Sequence, residues 1–168
     1  MKLSGAQATR FFARPDADRA GALIYGADAM RVALRRQEFI ATLLGPAGEA
    51  EMRLTRISGG DLRRDPAEVT DAIRAQGFFP GLRVVFVEDA GDAAAPALTA
   101  ALQDWRAGDA VLVVTAGSLG KASALKRAFD AKELLNPGKV IPTPRLCGEV
   151  PGPYRAHPLE RLGLAERF

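Results

Sequence analysis

The sequence predicts a three-layer α/β domain with a parallel sheet and helices on both faces. Apolar runs alternate with amphipathic stretches through residues 1 to about 130, the pattern of successive βαβ units. Val84-Val85-Phe86-Val87 and Ala110-Val111-Leu112-Val113-Val114 are continuous and rich in β-branched residues, as strands covered on both faces are. At 168 residues the chain has the length of one domain, enough to bury about 68–70% of its unfolded surface.

The first strand is read at Ala22-Leu23-Ile24-Tyr25, closed by Gly26. A helix follows from about Asp28 to Leu44. Met30, Ala33, Leu34, Ile40, Ala41 and Leu44 share one helical face, Val32, Phe39 and Leu43 form a second apolar strip, and so little polar surface predicts cover on two sides. Gly45-Pro46-Ala47-Gly48 stops this helix. Met52-Arg53-Leu54-Thr55-Arg56-Ile57 alternates roughly with period two, and its polar members predict a strand at or near a sheet edge. A short helix is expected from about Pro66 to Gln76, with Asp65 as N-cap and Val69, Ala72 and Ile73 as its apolar stripe. After the third strand, Ala94 to Trp105 carries Leu98, Leu102 and Trp105 at helical spacing; after the fourth, a helix is read from Ser118 to Phe129. Beyond about Ala131, Pro137, Pro142, Pro144, Pro151, Pro153 and Pro158 punctuate a tail without periodicity, expected to be irregular.

Composition excludes several classes. Hydrophobic residues at 48% and charged residues at 26% are ordinary globular values, which argues against wholesale disorder. No apolar run approaches the roughly 20 residues of a membrane helix, and the N-terminal residues lack the apolar stretch of a signal peptide. One cysteine makes neither an internal disulfide nor a cysteine-rich zinc site, and fits a reducing cytoplasm. Lys+Arg of 23 against Asp+Glu of 20 gives a formal charge of +3, too small to announce nucleic acid.

A parallel sheet invites a nucleotide at the carboxyl ends of its strands. The first such loop is Gly26-Ala27-Asp28-Ala29-Met30. It lacks the several glycines, the lysine and the hydroxyl of a phosphate loop, and it lacks the G-x-G-x-x-G of a dinucleotide site. Glu88-Asp89 resembles the acidic end of a Walker B strand, but without a phosphate loop it reads as two solvated carboxylates. The single histidine, His157, and the single cysteine, Cys147, stand in the irregular tail with no spacing that implies a catalytic pair. The residues predict no catalytic site, no cofactor and no metal.

Gln76-Gly77-Phe78-Phe79-Pro80-Gly81 is the segment that stands out. Adjacent residues at a helix end point about 100° apart, so one small core has difficulty burying both rings. Either they cap the core at the sheet edge, or they form an exposed apolar anchor for a partner's pocket.

Leu23-Ile24-Tyr25-Gly26-Ala27-Asp28, Gly77-Phe78-Phe79-Pro80-Gly81-Leu82-Arg83-Val84-Val85-Phe86-Val87 and Leu112-Val113-Val114-Thr115-Ala116-Gly117-Ser118-Leu119-Gly120-Lys121 stand in an order and spacing that resemble a known family. Residues 1 to about 130 are similar to the N-terminal domain of the delta subunit of bacterial DNA polymerase III, the clamp-opening subunit of the clamp loader. The resemblance implies an AAA+-like (RecA-type) domain that binds no ATP and serves DNA replication in the cytoplasm. It implies the sliding clamp as partner, other clamp-loader subunits as partners in the full-length family, weak or no direct nucleic acid binding, and no membrane. By position, Phe78 and Phe79 match the apolar pair that the family inserts into its clamp, with Gln76 and Leu82 flanking it, which favours the exposed anchor. No activity is expected of the chain alone.

A full delta subunit continues into a small helical domain and a collar domain, so the resemblance implies a truncated form that binds or opens a clamp by itself. Residues 131–168 differ. Leu134-Leu135-Asn136-Pro137-Gly138-Lys139-Val140-Ile141-Pro142-Thr143 resembles the C-terminal end of glycolate-oxidase-type FAD-linked oxidases, without the upstream flavin domain. The alternative function is therefore a fragment of such an oxidase, and flavin absorbance of the purified protein discriminates the two. An AAA+-like sheet carries a fifth strand beside its first, a place that Lys139-Val140-Ile141 is short and β-branched enough to fill.

Overall fold

The computed structural model describes residues 5–15 and 19–129. The tail, with His157, Cys147, the oxidase-like motif and the fifth-strand candidate, lies outside the described residues.

Four apolar runs form four strands: β1 (Gly21–Tyr25), β2 (Leu54–Ser58), β3 (Val84–Glu88) and β4 (Val111–Ala116). They make one all-parallel sheet in the order β1-β4-β3-β2. The two continuous β-branched runs, β3 and β4, take the middle, where both faces are covered. Gly21 pairs with Leu112, and a Cβ there would stand 2.3 Å from the Leu112 carbonyl oxygen, so only glycine lets β1 start in this register.

Side-chain alternation sends each strand's residues into two separate cores. Ala22, Ile24, Val84, Phe86 and Val113 face α1 (Gly5–Ala13) and α2 (Ala29–Leu44). Leu23, Tyr25, Val85, Val87, Leu112 and Val114 face α3 (Glu68–Arg74), α4 (Ala95–Gln103) and α5 (Ala124–Phe129). The architecture is thus α/β with helices on both faces.

Several element boundaries differ from the sequence reading, each for a physical reason. β2 begins at Leu54 rather than Met52, because Met52 has a φ of 51°, incompatible with an extended strand. Its exposed Thr55 and Arg56 fit the sheet edge it occupies. Asp28 lies outside α2 and caps it, accepting the Arg31 amide at 3.0 Å. The core face of α2 is the strip through Val32, Phe39, Ile40 and Leu44, whereas Met30 and Leu34 are exposed. α3 is shorter than expected: Asp65 accepts the Ala67 amide at 3.1 Å, and Ala75, with ψ of 129°, ends the helix. α4 stops at Gln103, and Trp105 donates its ring N–H to the Ala110 carbonyl at 3.0 Å. α5 begins at Ala124 instead of Ser118, since residues 117–123 form a non-helical segment with a bend at Gly117 and a turn at Lys121 and Ala122.

The helix α1 has no counterpart in the sequence reading. Ala8 and Phe12, four residues apart, bury one side of it, and the Phe12 ring meets Phe39 edge-on at 5.4 Å between centroids.

Candidate partner-binding site

The aromatic pair stands in the loop between α3 and β3, at the amino ends of the strands. Both sides of this loop are fixed by backbone bonds. The Ile73 carbonyl accepts the Ala110 amide at 3.0 Å, and the Arg83 carbonyl accepts the Val111 amide at 2.8 Å. The peptide between them must therefore turn within a short span, and Gly77, Pro80 and Gly81 supply that turn. Gly81 has a φ of 122°, a conformation that side chains rarely adopt.

Phe78 is 95% exposed and Phe79 43% exposed. Neither ring is sealed in the interior. Gln76 is also exposed, whereas Leu82 is half-buried and packs on the core shared with α2. Leu82 is thus a root of the loop and Gln76 a free neighbour of its tip. A nearly bare phenylalanine side chain can gain about 1.5–3 kcal/mol on full burial by another surface.

Sequence reasoning missed the residues that support this loop. Arg53, only 11% exposed at its side chain, donates Nε to Glu51 at 2.8 Å, Nη1 to the Leu82 carbonyl at 3.0 Å and Nη2 to the Leu44 carbonyl at 2.9 Å. One guanidinium therefore ties the end of α2 to the aromatic loop. Met52, beside it in the chain, is 73% exposed. The alternation across 52–57 drew attention to strand formation; the role of Arg53 appears only when residues 29 positions apart pair.

The opposite end of the sheet carries the loops that follow the strands. The amino end of α2, where a phosphate would bind, is already served by the Asp28 carboxylate, whose charge opposes an anion. Glu88 and Asp89 are exposed at the end of β3, and the Asp89 amide donates to the Thr115 hydroxyl at 3.3 Å. Nearby, Asp92 accepts the Ser123 hydroxyl at 2.5 Å and the Leu125 amide at 3.0 Å. The Ser123 bond, followed by the Leu125 amide, holds its carboxyl below the ordinary carboxylate range. Among the described residues, no group of three or more His, Cys, Asp and Glu is placed to hold a metal ion. No described helix is long and apolar enough to cross a membrane.

No family model matches the chain, and no curated protein is significantly similar to it.

Proposed function

We propose that this chain is a sliding-clamp-binding module of the delta-subunit type, with an AAA+-like domain that acts in DNA replication in the cytoplasm without using ATP. The observation that carries the reading is the exposure of Phe78 and Phe79 on a loop whose two ends are pinned to the sheet. The all-parallel sheet with β1 at one edge agrees with an AAA+-like arrangement, in which a fifth strand would lie beside the first. The capped amino end of α2 agrees with a domain that binds no triphosphate.

The mechanism is mechanical. The two rings enter an apolar pocket on the clamp, Gln76 borders the contact and Leu82 anchors the loop. Tighter binding to the open clamp than to the closed one shifts the clamp's equilibrium by that difference in affinity. No bond is made or broken, and no group of the chain is asked to act as acid, base or nucleophile.

The Phe78→Ala/Phe79→Ala double variant tests this. Both side chains are exposed, so the variant should remain folded, as checked by circular dichroism. Its affinity for purified sliding clamp is expected to fall about 30-fold or more, the equivalent of a central aromatic hot spot of about 2 kcal/mol. Unchanged affinity would remove the proposal.

A further inference from the structure

The geometry points to a composite partner surface built from two loops: Met52 is a third apolar contact beside Phe78 and Phe79, and Arg53 is the positioning residue that locks the two loops together. The inference deepens the reading above and rests on it.

Met52 combines two unfavourable features. Its long apolar side chain is 73% exposed, and its backbone lies in the left-handed region at φ 51°. A non-glycine residue held this way directs attention to function, because neither packing nor local conformation favours it. Its place in the fold supplies the function. β2 and β3 pair with Leu54 opposite Val84, and the Val84 amide donates to the Arg53 carbonyl at 2.9 Å. Arg53 also donates Nη1 to the Leu82 carbonyl at 3.0 Å, so Met52, the residue before it, leaves the strand at the foot of the aromatic loop. Met52, Phe78 and Phe79 are thereby exposed large hydrophobics at the same end of the sheet.

Arg53 is what makes the two loops one surface. Its fork joins the Leu82 and Leu44 carbonyls, and Nη1 lies 3.0 Å from where a Gly81 Cβ would stand. Lysine has one ammonium and no planar fork, so it cannot hold both carbonyls in this geometry. A loop fixed in advance loses less freedom when a partner covers it, which strengthens binding without adding a contact. The partner is a protein with a concave apolar pocket, broad enough for two rings and a thioether chain, as the proposed clamp site would be. The polarizable, unbranched methionine adapts to such a pocket where a third ring would not.

The test compares clamp affinity for the wild-type chain, Met52→Ala, Arg53→Lys and the Phe78/Phe79 double variant, with exchange at the Val84 and Val111 amides, which donate to the Arg53 and Arg83 carbonyls. Met52→Ala is expected to weaken binding about tenfold with its fold unaltered. Arg53→Lys should speed exchange at Val84 and Val111 while distant core amides keep their protection, and should weaken binding although its own head group touches no partner. Wild-type affinity for Met52→Ala beside a double variant that has lost binding overturns the composite surface and leaves the clamp reading standing. Unaltered exchange in Arg53→Lys overturns the positioning role. A wild-type chain that does not bind the clamp overturns both readings. Self-association, seen by light scattering and abolished by the same variants, would put a second copy in the partner's place and overturn them as well.

Discussion

Gly81 and Tyr25 show how single residues set the local balance. Alanine at Gly81 would have to keep φ at 122° and bring its Cβ to 3.0 Å from the Arg53 guanidinium. Gly81→Ala is expected to cost about 1–3 kcal/mol, read from the urea midpoint, and to loosen the aromatic loop at the same time. Tyr25 ends β1 with its phenol oxygen buried and without a hydrogen-bond partner among the described residues, while the Lys126 ammonium lies 4.9 Å from the ring centre. A buried hydroxyl with no partner carries a desolvation penalty of about 1–3 kcal/mol. Tyr25→Phe keeps the ring and removes that penalty, so it should stabilise the fold by roughly 1 kcal/mol in urea unfolding. Burial also pushes the Tyr25 phenol above its ordinary range. The unfolded chain therefore loses this proton first as pH rises, and stability falls through the alkaline range; the phenylalanine variant should lack that contribution.

At the scale of elements, α5 responds to acid through Asp92, whose carboxylate serves the Ser123 hydroxyl and the Leu125 amide. Its folded-state pKa is lowered, so its contribution is fully present above the unfolded carboxylate value of about 3.9 and is lost as pH falls through the folded value. Asp92→Asn should flatten the acid limb of a stability-against-pH curve below about pH 4. The strands were the most legible elements, because Val84–Val87 and Ala110–Val114 are apolar at every position and suit only a doubly covered sheet. Helix faces were less legible. In α2 both stripes are apolar, and the packing of the helix between the sheet and α1 decides that Val32 and Phe39 turn inward while Met30 and Leu34 turn outward. The start of α5 was hidden because its cap comes from a distant loop. Phe78 and Phe79 were identifiable from their glycine and proline neighbours, but Met52 and Arg53 gain significance only through the β2–β3 pairing.

Across the whole molecule, the aromatic loop and the carboxyl ends of the strands occupy opposite ends of the sheet. Magnesium ATP is expected to leave the melting temperature unchanged, whereas a bound partner should raise it in proportion to its saturation. Differential scanning fluorimetry reads both, and a clear ATP-dependent rise would contradict the role given to Asp28. The two cores share one sheet, so a truncation deep in either should weaken the entire domain: Leu98→Ala, at a fully buried position, is expected to cost about 2–5 kcal/mol. The bond from Leu125 to Asp92 spans 33 positions, and it has a kinetic consequence. A six-residue helix is too short to persist by itself, and α5 receives this capping bond only after β3 and β4 have brought their following loops together. It should therefore assemble late in folding and be among the earliest segments to exchange its amides by local opening, ahead of the central strands.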